Sequence, residues 1–300
     1  MFVKKPRTST DPWLRSLLQK ATRRGASRVV ESTARQIAAS GDRAWLRSRA
    51  VVITFEESWP LAESFQLGTG EESKIEALRR VAQSAKQKDA AGLGALGFAL
   101  HEGDEGMLDV VPSKQSVRIV SEGLERPAAF FEWALAQCSS ASSFRVVSVA
   151  RDYLSAATWG WDKATILAGA FLAATVGVPS LPAVSPVASE FPYWVALDKH
   201  TPEGKRALRR IGARYGYRYR HLIWAGFYCE STIVNALESS PWFEAERTWR
   251  LRRAGFDFYT AAALWERVRP LLQAELAASA EVLRERVELP QDRQGTFFGN

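Results

Sequence analysis

The chain has 300 residues, of which 46% are hydrophobic and 24% are charged, and its formal net charge is +7. This composition is typical of a globular protein with a sizeable core and excludes an intrinsically disordered chain. Basic residues predominate in residues 1–50 and 201–250, whereas acids predominate in residues 51–110. The basic zones are expected to attract polyanions. The acidic zone is either a partner surface or a surface that docks on the chain's own basic zones.

Apolar residues recur at helical spacing along most of the chain, so the sequence predicts an all-α, multi-helix globular protein. Asp11 and Pro12 mark the start of the first helix, because Asp caps a first turn and Pro fits it. Further helices are predicted over residues 27–39, 43–57, 71–100 (two helices), 127–138, 144–178 (interrupted at Gly160), 241–255 and 258–286 (kinked at Pro270), with a shorter one starting at Trp59. Residues 110–126 have no firm period.

A loop with three prolines, residues 177–189, is the best candidate for a domain boundary. We therefore expect a disordered basic tail over residues 1–10 and a helical domain over residues 11–180. A second helical region over residues 190–286 is expected to pack on the first, followed by a tail over residues 287–300.

Two cysteines, Cys138 and Cys229, lie in apolar contexts and form no CxxC pair. They are expected to be buried free thiols in a reducing compartment. The basic N-terminus lacks the apolar segment of a secretory signal, and the longest apolar run, residues 164–178, is too short to span a bilayer. The sequence therefore predicts a cytoplasmic protein without a membrane partner.

The densest positive charge outside the N-terminus lies in residues 205–220, where seven cations are accompanied only by the nearby acid Glu203. Guanidinium groups bind phosphates and tyrosine rings stack on bases. The same pattern is also typical of a solvated basic helix that pairs with acids elsewhere. The candidate nucleic-acid-binding residues are Lys205, Arg206, Arg209, Arg210, Arg214, Tyr215, Tyr217, Arg218, Tyr219 and Arg220.

Three polar residues, Asp198, His200 and Thr201, precede this basic helix. Either Asp198 and Thr201 cap the helix, or His200 and Thr201 bind phosphate at its N-terminus. Asp198 and His200 alone are too few ligands for a metal site. The sequence thus predicts no metal ion and no cofactor.

The chain carries no nucleotide-hydrolysis motif that would assign a catalytic residue. Residues 68–74, GTGEESK, lack the Gly-Lys-Ser/Thr ending of a phosphate-binding loop. Glu56 and Glu57 are adjacent on a predicted helix and point in different directions, which disfavours a glycosidase-like carboxylate pair. Residues 86–89, KQKD, are interpreted as a charged turn between two helices.

Three segments resemble known proteins. Residues 39–57, ASGDRAWLRSRAVVITFEE, resemble a segment in the C-terminal part of the replication-associated recombination protein A family, and residues 84–95 resemble a later helix junction of that family. These are clamp-loader-like AAA+ proteins related to Werner helicase-interacting protein. Residues 196–204, ALDKHTPEG, are similar to a DxHTxxG string of family-like proteins from phages and mobile elements.

The resemblance implies a clamp-loader-collar-like helical bundle with loop-rich insertions, which forms a homo-oligomer and lies near DNA ends or forks. No Walker A or Walker B motif of the ATPase module is found in this sequence, so ATP hydrolysis is not carried over. A separate ATPase or a replication protein is then an expected partner.

These observations predict a non-enzymatic DNA-binding protein of replication or recombination that contacts nucleic-acid phosphates through its basic Arg/Tyr helix. One alternative is a protein–protein adaptor, in a mobile-element or phage-defence setting, that binds its partner through the acidic residues 51–110. The other alternative is an enzyme of unrecognised type that acts on a phosphate-bearing substrate through Asp198, His200 and His221.

Overall fold

The computed structural model describes residues 11–65, 70–185 and 190–288 of the chain. These residues form α-helices and contain no β-sheet, so the predicted all-α fold is confirmed within the described ranges. The helices are α1 (Pro12–Arg23), α2 (Ser27–Ala39), α3 (Arg43–Ser58), α4 (Glu71–Ala82), α5 (Asp89–His101), α6 (Lys114–Glu125), α7 (Pro127–Gln137), α8 (Ala141–Leu154), α9 (Gly160–Thr175), α10 (Pro202–Tyr215), α11 (Tyr219–Gly226), α12 (Pro241–Ala254) and α13 (Phe258–Glu288). The structure also contains two 3-10 segments, Trp59–Ser64 and Tyr193–Leu197, and one π-helical segment, Phe227–Ser231, within the described residues.

Local sequence chemistry sets several helix ends. The Asp11 carboxylate accepts hydrogen bonds from the backbone N–H groups of Trp13 and Leu14 at 2.9 and 3.3 Å and so caps α1. At the other end of a helix, Gly255 follows α12 with a φ of 84°, a left-handed conformation that glycine adopts without a Cβ penalty. These ends were predicted correctly because each one is encoded by its own residues.

The core is built around α5 and α9, which approach each other closely. A Cβ at Gly94 of α5 would lie 2.6 Å from the Cα of Thr165 on α9, and one at Gly92 would lie 2.3 Å from the backbone N of Phe243 on α12. Small residues therefore let α5 pack directly on both neighbours. The stretch from Ala164 to Ala174 of α9 is buried on every side, as its apolar composition predicts.

Two helices differ from the sequence prediction. Residues 110–126 contain α6, whose start is capped by Ser113: its hydroxyl accepts the backbone N–H of Ser116 at 3.2 Å. Helix α13 continues through Pro270 and is described as far as Glu288, two residues beyond the predicted end. The predicted interruption is confirmed, because α8 ends at Leu154 and a separate helix, α9, begins at Gly160.

The short connection between α4 and α5 lies in the interior of the protein. The backbone N–H of Ala85 donates to the carbonyl of Pro182 at 2.9 Å, and that of Lys86 donates to the carbonyl of Ala236 at 2.8 Å. The Lys86 ammonium, which is fully buried, donates to the backbone carbonyl of Val81 at 2.7 Å. The charged turn predicted here is therefore a buried segment, and its backbone hydrogen bonds link it to two distant parts of the chain.

The predicted tails over residues 1–10 and 289–300 lie outside the described residues, as do parts of the predicted loop over residues 177–189 and of residues 68–74. The division into two helical regions stays a prediction. None of the helices in the described ranges is both long enough and apolar enough to cross a lipid bilayer.

Candidate nucleic-acid interface

The basic segment forms one exposed surface on α10 and α11. Helix α10 buries Ala207, Leu208 and Ile211 against the core, which turns its basic residues outward. The α10–α11 basic surface comprises the seven exposed cations Lys205, Arg206, Arg209, Arg210, Arg214, Arg218 and Arg220. Arg206, Arg210 and Arg214, whose spacing predicts one helical face, are all exposed on α10.

Among the described residues, three of the seven cations have hydrogen-bond acceptors within the protein. Arg206 pairs with Glu203 at 2.7 Å, and Arg210 pairs with Glu275 of α13 at 2.6 Å. Arg220 donates to the backbone carbonyl of Arg253 at 2.8 Å. In the described part of the chain, no carboxylate lies within ion-pair distance of the remaining four, which are Lys205, Arg209, Arg214 and Arg218.

The three tyrosines of the segment are not equivalent. Tyr215 is 43% exposed, and the Arg214 guanidinium lies 5.4 Å from the centre of its ring. Tyr217 and Tyr219 are half-buried and pack against the core, because α10 ends at Tyr215 and the chain folds back into α11. Tyr215 is thus the best placed of the three to stack on a base, and it lines an open groove of about 890 Å³ between α10 and α13 together with Arg210.

Several cations of the N-terminal basic zone pair with acids of residues 51–110. Arg23 pairs with Glu57 at 2.6 Å, and Arg35 pairs with Glu72 at the same distance. Arg43 similarly lies 3.2 Å from Glu71. Of the two explanations for the acidic zone, internal docking is therefore the one that the ion pairs support. This docking leaves the α10–α11 basic surface uncovered.

Asp198 and Thr201 fix the start of α10. The Thr201 hydroxyl accepts the backbone N–H of Gly204 at 3.1 Å, which makes it the N-cap. The Asp198 carboxylate forms an ion pair with Lys20 at 2.8 Å and a hydrogen bond with the Nδ1 atom of His200 at 2.9 Å. Burial alone would raise the pKa of the Asp198 carboxyl, but Lys20 and His200 hold it well below its usual range.

The two histidines considered for catalysis lie in different surroundings. His200 bonds to Asp198 and exposes 54% of its side chain. His221 on α11 instead packs edge-on against Phe256, with ring centres 4.6 Å apart. Burial and the neighbouring Arg218 lower the pKa of His221. No described contact joins His221 to the Asp198–His200 pair, so the geometry gives no support to a shared catalytic centre.

A buried ionic triad, Arg23–Glu57–Lys88, lies behind this region. The Arg23 Nε donates to one Glu57 oxygen at 2.7 Å and the Lys88 Nζ donates to the other at 2.8 Å. Burial would raise the pKa of Glu57, but the two cations lower it to about 2. Burial lowers the pKa of Lys88 despite its partner, because one carboxylate is shared by two cations. Glu56 is also engaged, with Arg23 at 3.1 Å.

A polar cleft opens beside the start of α10. Six cations line it, namely Lys20, Arg23, Arg49, Lys88, Lys199 and Arg250. It has a volume of about 340 Å³ and adjoins a second hollow of about 420 Å³, with which it shares Lys20, Arg49 and His200. Sequence reasoning missed this cleft, although a lysine inside the apolar stretch of α1 was one available signal.

Comparison with protein-family models, with curated proteins and with solved structures finds no match. Within residues 11–65, 70–185 and 190–288, no three His, Cys, Asp or Glu side chains form a group suited to a metal ion. The cysteines in these ranges, Cys138 and Cys229, are free thiols, but both are half-buried rather than fully buried as predicted. The arrangement of charge is therefore the main guide to function.

Proposed function

We propose that this protein binds nucleic acid through the α10–α11 basic surface. The observation that carries the proposal is that four exposed cations, Lys205, Arg209, Arg214 and Arg218, have no carboxylate partner in the described part of the chain. Unpaired surface cations attract phosphates without first having to break an internal ion pair. Arg23, Arg35 and Arg43 of the N-terminal zone, in contrast, pair with acids and are not available in this way.

The size of the surface suits a strand backbone. Helix α10 has 14 residues and is therefore about 21 Å long, which corresponds to roughly six phosphates along one strand of a duplex. Tyr215, at the C-terminal end of α10, is placed to stack on an unpaired base. Tyr217 and Tyr219 support the fold of the surface and are not expected to touch the ligand directly.

The biological setting that we infer is DNA replication or recombination. Its support is the resemblance of residues 39–57 and 84–95 to the C-terminal part of replication-associated recombination protein A, together with the all-α fold. In that setting the helical domain would act as a collar-like module that self-associates and works with a separate ATPase. The adaptor alternative has less support, because acids such as Glu57 and Glu72 are engaged internally.

The test is fluorescence anisotropy with labelled single-stranded, duplex and forked DNA and with RNA, over a salt series from about 50 to 200 mM. Four phosphate contacts predict a log–log salt slope of about −2.8 for single strands and about −3.6 for duplex. The double variant Arg209→Gln/Arg214→Gln is expected to reduce the slope by about 1.4 for single strands.

A matched control removes two exposed cations that already have acidic partners. Arg35→Gln/Arg43→Gln changes the net charge by the same amount, but the two arginines that it removes pair with Glu72 and Glu71 in the wild-type protein. Its salt slope is expected to stay at the wild-type value. Absence of binding at the lowest salt, or equal slopes for the two double variants, would refute the assignment to α10 and α11.

A further inference from the structure

Two cations of the polar cleft share one aromatic ring. The Lys199 Nζ lies 4.3 Å from the centre of the Trp224 ring and 3.9 Å from that of Phe227. The Arg250 guanidinium lies 4.9 Å from the centre of the same Trp224 ring and 4.4 Å from that of Trp161. The aromatic rings hold both cations in place but cannot neutralise them.

The acids around these cations leave the Lys199 ammonium and the terminal nitrogens of Arg250 without a carboxylate partner in the described residues. Asp198 binds Lys20 and His200, and no carboxylate lies within ion-pair distance of Lys199 in the described residues. Glu246 accepts the Arg250 Nε at 2.5 Å. The two terminal nitrogens of Arg250 have no hydrogen-bond acceptor among the described atoms. The cleft thus presents two adjacent sets of unsatisfied cationic donors.

Burial and the closeness of like charges make this arrangement unfavourable. Burial, together with the positive charges of Arg250 and Lys20, lowers the pKa of Lys199 to about 8 against the opposing effect of Asp198 and Glu246. An anion placed between Lys199 and Arg250 would relieve their repulsion and accept hydrogen bonds from both. The cleft volume of about 340 Å³ falls within the usual range for small-molecule sites.

We propose that this cleft binds a terminal phosphate group, held between the Lys199 ammonium and the terminal nitrogens of Arg250. A phosphate monoester is preferred to a carboxylate because its three terminal oxygens can accept from a lysine and both arginine nitrogens together. The phosphate can belong to a free nucleotide or to the 5′-phosphorylated end of a strand. The cleft is distinct from the four unpaired cations of the α10–α11 basic surface.

The first experiment is isothermal titration calorimetry with inorganic phosphate, AMP and adenosine. AMP is expected to bind and adenosine is not, and Lys199→Met is expected to weaken AMP binding at least tenfold. Arg250→Gln should have the same effect, whereas Lys114→Met, which removes an exposed lysine at the start of α6, should leave the affinity unchanged. Circular dichroism of each variant confirms that the fold is retained.

The second experiment separates the two sources of phosphate. Anisotropy compares an oligonucleotide carrying a 5′-phosphate with the same strand carrying a 5′-hydroxyl, and Lys199→Met should abolish any preference for the phosphate. Preference for the phosphorylated strand without AMP binding would assign the site to strand ends. If neither AMP nor the 5′-phosphate is recognised, or if Lys199→Met changes nothing, the proposal is wrong. Binding of the 5′-hydroxyl strand reports separately on the α10–α11 basic surface.

Discussion

Replacing Glu57 by glutamine tests whether the buried ionic triad holds the fold together. The substitution keeps the shape of the side chain but removes its charge, so Arg23 and Lys88 lose their shared partner in a position where neither is more than 2% exposed. The pKa of Glu57 is lowered from 4.5 to about 2 in the folded protein. That shift corresponds to about 3 kcal/mol of stability at neutral pH.

The loss agrees in size with the 3–5 kcal/mol that breaking a buried ion pair usually costs. It would be a large part of the total free energy of unfolding, which is about 5–15 kcal/mol for a typical domain. The assay is urea unfolding at pH 7, followed by tryptophan fluorescence and by circular dichroism. Glu57→Gln should lower the unfolding midpoint without a change in slope.

The matched control is Glu72→Gln, which removes the same charge from an exposed pair with Arg35 and is expected to change stability by less than about 0.5 kcal/mol. The double variant Glu57→Gln/Lys88→Met should be more stable than the sum of its two single variants predicts, because it leaves one fewer unpaired charge. A Glu57→Gln protein as stable as the control would refute the reasoning.

Three further outcomes are expected. Gly204→Ala should displace the start of α10 and lower the melting temperature, because the added Cβ would lie 2.0 Å from the carbonyl oxygen of Asp198. Gly70→Ala, whose added Cβ would have no atom within 4 Å, should leave the melting temperature unchanged. The stability contributed by Glu57 should be complete above about pH 4.5 and should be lost as the pH falls towards 2, as measured by urea unfolding across that range. Since burial raises the pKa of Cys229 to about 11, its labelling by a thiol reagent at pH 8 should be roughly 10²-fold slower than that of a free cysteine, and rapid labelling would contradict the packing.

Helix positions were predictable where the residues that set them are adjacent in sequence. Asp11 before Pro12 and Gly255 after α12 determine helix ends by their own backbone and side-chain chemistry. The outward direction of the α10 cations was predictable for the same reason, because the four-residue spacing of Arg206, Arg210 and Arg214 fixes a helical face. Such features depend on local geometry alone.

The interior charges were not predictable, because they depend on partners far away in sequence. Lys86 and Lys88 resemble surface residues in a polar segment, yet Lys88 binds Glu57, 31 residues earlier. No pattern in the sequence indicated the role of Lys199, because the Trp224 ring that it contacts lies on α11, 25 residues later. A pattern within one segment carries no information about which other segment will pack against it.

The earliest helix of the chain depends on residues that are synthesised much later. Trp13 donates to Glu203 at 2.6 Å, Arg23 donates to the carbonyl of Ser231 at 2.5 Å, and Asp11 pairs with Arg286. Contacts that span such long stretches require large loops to close first, which slows folding. During synthesis, these three partners of α1 become available only after Glu203, Ser231 and Arg286 have in turn left the ribosome.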